Sequence, residues 1–169
     1  MIKIHFQEPT TKEWTDWKAQ CQAKQDEHNS AIESGQDSQV DPYVYKGTAY
    51  NIKEGVYIDP EGSFGGKCAY CESNIAADQF AGIEHYRPKS AVKNYQNQNI
   101  IVEINGSNVS HPGYYWLAYA WQNFLPTCEL CNSVTKKRTH GQRIGKGNLF
   151  PVKNFRAVVP GEETREEPL

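Results

Sequence analysis

Two Cys-x-x-Cys motifs constrain the fold of this chain more than any other feature of its sequence. The first joins Cys68 and Cys71, the second joins Cys128 and Cys131, and 56 residues separate them. Each motif can form a tight turn that places two thiolates on one ion, and two such turns complete a tetrahedral zinc site. The alternatives are a thioredoxin-like redox pair and four unliganded buried cysteines. We favour structural zinc, which contributes on the order of 10 kcal/mol to folding in such sites.

Composition supports one folded domain with room for an extra arm. The chain has 169 residues and 12% aromatic residues, which argues against a disordered chain. Its longest apolar stretch, Tyr114 to Trp121, is far shorter than the roughly 18 residues that a membrane span requires. The first residues lack the apolar segment of a signal peptide, so we expect a cytoplasmic protein without a membrane partner. In a reducing cytosol, 5 Cys point to metal binding or chemistry rather than disulfides.

The charges are unevenly distributed although the net charge is only -2. Residues 1–63 carry a net charge of -5, residues 128–156 carry +6, and residues 157–169 carry -3. A basic segment of this kind is either a solvated loop or a binding surface for phosphates. We divide the chain into an N-terminal arm at 1–63, a core at 64–156 and an acidic C-terminal tail at 157–169.

The hydrophobic pattern predicts several secondary-structure elements. Thr10 or Thr11 can cap a helix whose Trp14, Trp17 and Cys21 fall on one face and are expected to contact the core. Residues 34–41 read as a polar linker, and residues 42–59 do not discriminate between helix and strand. Three further elements are predicted: a strand over Ile2–Phe6, a strand over Ile100–Ile104 that enters an Asn-Gly turn, and a buried helix over Tyr114–Asn123.

Two stretches carry a recognisable set of chemical groups. Gly82 to Ser90 reads Gly-Ile-Glu-His-Tyr-Arg-Pro-Lys-Ser, and Asn123 and Asn132 flank the second cysteine pair. The order of these groups resembles the HNH nuclease family, in which an acid-His hairpin, a middle Asn and a Cys-x-x-Cys followed by His or Asn recur. The resemblance covers roughly Phe64 to Val152, about half of the chain. It implies an α+β protein with a ββα-metal fold, in which a hairpin carries the acid and the base and a helix begins near Asn132.

The resemblance also implies roles for individual residues. His85 is expected to be the general base, Glu84 and Asn132 to bind the catalytic ion, and Asn123 to hold the hairpin through backbone hydrogen bonds. Oxygen ligands suit a hard ion such as Mg²⁺ or Mn²⁺, and a histidine is largely neutral at pH 7. Many family members have Asp at the position of Glu84 and His at that of Asn132, so the metal site is expected to be weaker. The residues expected to contact phosphates are Arg87, Lys89, Lys136, Lys137 and Arg138.

Several short phrases resemble a narrower group. Cys-Ala-Tyr-Cys-Glu, Tyr-Tyr-Trp-Leu-Ala-Tyr and Leu-Phe-Pro-Val are similar to the PtuB-like HNH subunits of Septu-type and retron-associated bacterial anti-phage systems. This resemblance implies a metal-dependent endonuclease that works beside an ABC-type ATPase, and it leads us to expect more chain beyond Leu169. The alternatives are a non-catalytic zinc module that binds nucleic acid or a protein, and a redox protein that uses its cysteine pairs.

Overall fold

The computed structural model describes residues 5–133 and 145–169. These residues combine helices with two small antiparallel sheets, which confirms the α+β class. None of their helices has the length and apolar character needed to cross a lipid bilayer. The helices and strands are α1 (Lys12–Glu33), α2 (Pro42–Tyr45), β1 (Gly82–His85), β2 (Ile101–Ile104), β3 (Ser107–Ser110), β4 (Phe124–Thr127) and α3 (Glu129–Asn132).

Helix α1 begins where the capping pattern predicts. Thr11 is its N-cap and accepts a hydrogen bond from the backbone N–H of Trp14, which satisfies one of the free donors of the first turn. Trp14, Trp17 and Cys21 are all buried, so the prediction that this face contacts the core is confirmed. Burial raises the pKa of the Cys21 thiol to about 12, so this cysteine behaves as a small apolar residue.

Residues 42–57 form three short helical turns instead of one regular element. After α2 come a 3₁₀ turn at Thr48–Tyr50 and a π turn at Lys53–Tyr57. Gly47 allows the first change of direction, because its φ is 61° and an added Cβ would lie 2.4 Å from Ile52. These turns and α1 share one buried core with β1 and β4. The buried members are Trp14, Trp17, Cys21, Val44, Tyr45, Ile52, Tyr57, Ile83, Ala118, Tyr119 and Phe124.

The two sheets are both two-stranded. Strands β2 and β3 form a hairpin through Asn105 and Gly106, whose φ angles are 51° and 75°, as a tight turn of this type requires. The predicted strand and turn are therefore confirmed. Strand β1 pairs antiparallel with β4, with His85 opposite Phe124.

The buried helix predicted over Tyr114–Asn123 is wrong. The segment contains two 3₁₀ turns, Tyr115–Leu117 and Trp121–Asn123, because distant side chains take the backbone groups that a helix would pair internally. Gln25 of α1 donates to the carbonyl of Tyr115 and accepts from the N–H of Tyr119. Competition of this kind for the backbone overrides the apolar pattern.

The strand predicted near the start of the chain falls mostly on residues outside the described ranges, and the acidic tail packs against the core. Residues 5–10 form no strand, and Ile2 and Ile4 of the predicted strand lie outside the described residues. The acidic tail is docked, because the carboxylate of Glu166 is fully buried and accepts from Arg87, from the Tyr114 hydroxyl and from the N–H of Ala157.

Candidate metal centre and the adjoining acid-histidine strand

The two cysteine pairs meet on one side of the molecule. Their four Sγ atoms all lie within 4.8 Å of one another, and those of Cys71 and Cys128 are 3.8 Å apart. Four sulfurs at about 2.3 Å from a tetrahedral zinc ion are separated by about 3.8 Å. The backbone N–H of Ala69 donates to the carbonyl of Pro126 and joins the loop of the first pair to the strand that leads into the second.

Backbone N–H groups prepare the first cysteine to be a thiolate. Burial opposes ionisation of the Cys68 thiol, but hydrogen bonds from the backbone N–H groups of Cys71, Cys128 and Tyr70 outweigh it and lower the pKa of Cys68 to about 6. The thiolate is the form that binds metal. The cluster could therefore hold an ion such as zinc. Within residues 5–133 and 145–169, it is the one group of three or more His, Cys, Asp and Glu side chains placed closely enough to do so.

The second cysteine pair places Asn132 against strand β1. Helix α3 begins directly after Cys128 and ends at Asn132, so the predicted helix start at this residue is instead a helix end. The side-chain amide nitrogen of Asn132 lies 3.6 Å from the position of a Cβ on Gly82. Alternate residues of a strand share a face, so Asn132 lies on the face of β1 that also carries Glu84.

Glu84 is engaged by Lys146, which the sequence interpretation did not single out. The ammonium of Lys146 donates to Glu84 Oε1 at 2.9 Å and to the backbone carbonyl of His85 at 3.0 Å. Both side chains are 12% exposed. Burial raises the pKa of Glu84 and lowers that of Lys146, while each charge opposes the shift of the other. The only sequence signal for this contact is the position of Lys146 in the basic segment.

The backbone fixes Lys146 through the second cysteine pair. Its N–H donates to the carbonyl of Cys131 at 2.7 Å. Gly145 before it has a φ of 85°, and an added Cβ there would lie 2.1 Å from the carbonyl oxygen of Ser133. Only glycine fits this close approach, so the chain is held against α3 where it delivers the ammonium to Glu84.

His85 lies on the opposite face of β1 and is 3% exposed. Its ring packs against Tyr45 and Phe124, with centroid distances of 4.8 and 5.1 Å. Nε2 lies 2.8 Å from the carbonyl oxygen of Ala118, which can only accept, so Nε2 carries the proton and Nδ1 is the free base. Burial and the nearby Lys89 ammonium lower the pKa of His85 to about 3.

The Lys89 ammonium lies beside His85 and interacts electrostatically with Glu84. Its ammonium lies 3.4 Å from His85 Nδ1 and 5.2 Å from the ring centroid of Tyr45. Burial lowers the pKa of Lys89, and the negative charge of Glu84 opposes that shift. His85, Glu84, Lys89 and Lys146 therefore form one electrostatic cluster, although His85 and Glu84 leave the strand in opposite directions.

Asn123 fastens the chain that leaves β1. Its Oδ1 accepts from the N–H of Arg87 at 2.8 Å, and its Nδ2 donates to the carbonyls of Arg87 and Leu117. These bonds fix the backbone two residues beyond His85. The Arg87 guanidinium pairs with Glu166 and donates to the carbonyl of Glu163, so it holds the tail.

The remaining predicted phosphate ligands, Lys136, Lys137 and Arg138, lie outside the described residues. A catalytic divalent ion at Glu84 and Asn132 fits the donor chemistry, because one carboxylate and a few waters suffice for Mg²⁺. The buried hydroxyl of Tyr70 lacks a hydrogen-bond partner among the described residues, and the charge of Glu84 contributes to raising its pKa. An unsatisfied polar atom of this kind indicates room for a further ligand or water near the carboxylate.

Comparison with known proteins confirms the similarity to a Septu protein. Over 108 residues, 63% of this chain, the sequence is 44% identical to the Septu protein PtuB of Bacillus mycoides (strain KBAB4). The match covers 30% of that protein, so the chain spans less than a third of its relative. No protein-family model matches the chain, and no solved structure matches it.

Proposed function

We propose that this chain is the nuclease part of a Septu-type anti-phage system and hydrolyses phosphodiester bonds with a divalent ion. The observation that carries the proposal is the register of β1 and β4. It brings the Glu84-His85 pair beside the strand that runs directly into Cys128 and Asn132. The similarity to PtuB supports the defence role. The arrangement agrees with the ββα-metal order of strand, strand and helix.

His85 is suited to accept a proton from water at Nδ1. The carbonyl of Ala118 accepts a hydrogen bond from Nε2–H. The pKa of about 3 leaves Nδ1 unprotonated across the neutral range, but it also makes Nδ1 a weak base as long as the ring is buried beside the Lys89 ammonium. In the absence of substrate, the Lys89 ammonium lies 3.4 Å from Nδ1 and blocks the approach of water to it. A substrate phosphate attracts the Lys89 ammonium away from the ring and thereby opens Nδ1 to water.

Glu84 and Asn132 are the side chains that would hold the catalytic ion, Mg²⁺ or Mn²⁺. When bound, such an ion supplies charge neutralisation at the phosphoryl and leaving oxygens. Lys146 must release Glu84 Oε1 before that carboxylate oxygen can bind it. Zinc at the four cysteines has a structural role in this proposal, because the same turn that holds Cys131 also positions Asn132.

The proposal includes an ABC-type ATPase as partner and a cytoplasmic location. The basic charge of residues 128–156 supports attraction to nucleic acid, while the net charge of -2 leaves little long-range attraction elsewhere. A nuclease of this charge depends on a partner for targeting.

A second candidate is a zinc module without catalytic activity. Two observations favour it: His85 is buried, and Glu84 is ion-paired with Lys146. Both make the side chains that catalysis requires inaccessible to substrate and ion. The two candidates differ in one measurable property, which is whether cleavage depends on His85.

A cleavage assay with matched histidine variants distinguishes them. Labelled DNA and RNA are incubated with the zinc-loaded chain and Mg²⁺ or Mn²⁺, alone and with the proposed ATPase. His85→Gln should lower the cleavage rate about 10²–10⁴-fold, because a general base contributes that much. The control is His111→Gln, since His111 is also buried and also has Nε2 2.8 Å from a backbone carbonyl, that of Ala157.

The control variant should cleave at the wild-type rate and carry the same zinc. Equal rates for wild type and His85→Gln reject His85 as the base. A zinc-loaded wild type that cleaves no substrate under any of these conditions contradicts the nuclease and favours the second candidate.

A further inference from the structure

An aromatic pocket lies beside the ion pair of Glu84 and Lys146. Its cavity measures about 540 Å³, within the range of about 300–1,000 Å³ that is usual for small-molecule sites. Four aromatic rings contribute to its wall. They belong to Tyr70, Tyr86, Tyr95 and Phe150.

The pocket adjoins the proposed cleavage site through three of its wall residues. Lys146 holds Glu84 and also lines the cavity, and Tyr86 directly follows His85. Tyr70 lies between the first two cysteines, and its hydroxyl is close enough to feel the charge of Glu84. A group bound in the cavity therefore lies next to the groups proposed to act on a phosphate.

We infer that this pocket binds an unpaired nucleobase next to the scissile phosphate, so that the substrate is single-stranded or flipped-out nucleic acid. The inference rests on the proposed nuclease function. Every base presents a flat π face, and aromatic side chains stack on it without regard to sequence. A paired base inside a duplex cannot enter such a cavity unless it leaves the stack.

The polar groups of the wall favour a nucleotide over an apolar segment of a protein. Of the described side chains that line the cavity, that of Lys146 is the one that carries a charge, and it is paired with Glu84. An ammonium beside aromatic rings suits a base that is attached to a phosphate. The tyrosine hydroxyls of Tyr86 and Tyr95 add hydrogen-bonding capacity that an aliphatic side chain would leave unused.

Tyr95 provides the cleanest test, because its side chain is 68% exposed and its removal leaves the core intact. Tyr43 on α2 is a matched control that is 55% exposed and does not line the pocket. The probes are two fluorescent oligonucleotides of equal length, a single-stranded DNA with all its bases and an abasic strand with the same phosphates. Binding to the zinc-loaded chain is measured by anisotropy without Mg²⁺ or Mn²⁺, so that it is independent of cleavage.

Wild type should bind the base-bearing strand more tightly than the abasic strand. Tyr95→Ala should weaken binding of the base-bearing strand about 5- to 150-fold, since stacking contributes about 1–3 kcal/mol per base, and should leave the abasic strand unchanged. Tyr95→Trp should restore the preference, and Tyr43→Ala should match wild type.

Three results would overturn the pocket: no preference of wild type for bases, equal loss on both strands in Tyr95→Ala, or the same loss in Tyr43→Ala. The nuclease and the pocket fail separately. If the chain cuts DNA but shows no preference for the base-bearing strand, the nuclease proposal stands and the base-binding pocket is rejected. If the chain binds as expected but never cuts, the pocket stands as a base-binding site and the nuclease proposal is rejected.

Discussion

The cysteine cluster lies next to a second group, the Glu84 cluster, which comprises Glu84, Lys146 and Asn132. The two differ in whether their ligand atoms are free and correctly spaced to bind an ion. The four sulfurs already lie at distances that suit one ion, and their turns are set by residues close in sequence. The carboxylate of Glu84 is instead occupied by an ammonium from a residue 62 positions away. Local spacing can thus specify each cysteine pair, although the two pairs meet across 57 positions. The contact between Lys146 and Glu84 has no local pattern, and it occupies the carboxylate that an ion would need.

Loss of zinc should have the largest effect of any change. Chelator-treated wild type and Cys71→Ala should lose cooperative urea unfolding, followed by circular dichroism. A structural zinc contributes on the order of 10 kcal/mol against a usual net stability of ~5–15 kcal/mol. Cys71 is exposed, so its replacement removes a ligand without removing core packing.

The control for that experiment is Cys21→Ala, which alters a buried cysteine outside the cluster. It should keep one zinc per chain by elemental analysis and lose only packing. An unchanged unfolding curve for chelator-treated wild type would show that the cysteine cluster does not hold the fold together.

Breaking the ion pair of the Glu84 cluster should have the next largest effect. Lys146→Met leaves a mostly buried carboxylate without its partner, and the expected loss of unfolding free energy is about 3 kcal/mol. The measurement is urea unfolding at pH 7 with saturating zinc.

The double variant Glu84→Gln with Lys146→Met removes the stranded charge and should recover most of that loss. If Lys146→Met is as stable as wild type, the ammonium contributes nothing to the stability of this site. The stated difference between the cysteine cluster and the Glu84 cluster then fails.

Acid should weaken the fold by a smaller amount through His85. The folded-state pKa of His85 is about 3, below the value of about 6.5 in an unfolded chain. Between these values the unfolded chain binds a proton that the folded chain does not, so stability falls as pH decreases from 6.5. From pH 7 to pH 5 the contribution of His85 should decrease by about 2 kcal/mol.

Thermal or urea unfolding at the two pH values checks this, with zinc saturating in both. The drop should be smaller in His85→Gln than in wild type, because the variant has no imidazole to protonate at that position. Equal drops in the two proteins would mean that His85 is accessible to protons in the folded state.

Local sequence signals predicted the parts of the structure that depend on neighbours in the chain. The N-cap of α1, the Asn105-Gly106 turn and the spacing of the cysteine pairs each act over a few residues. The helix predicted over Tyr114–Asn123 is wrong because Gln25, 90 and 94 positions before the residues it contacts, binds the backbone groups of Tyr115 and Tyr119. The engagement of Glu84 by Lys146 and of Arg87 by Glu166 could not be predicted for the same reason, since neither pair shares a local pattern.

A titration with Mn²⁺ tests most directly whether the two clusters are separate ion sites with separate roles. Binding to the zinc-loaded chain is followed by electron paramagnetic resonance, for wild type and for Glu84→Gln, with zinc counted in the same samples. The account predicts one Mn²⁺ site in wild type that is lost in Glu84→Gln, while both proteins keep one zinc. Mn²⁺ binding that is unaffected by Glu84→Gln, or zinc lost from that variant, would contradict it.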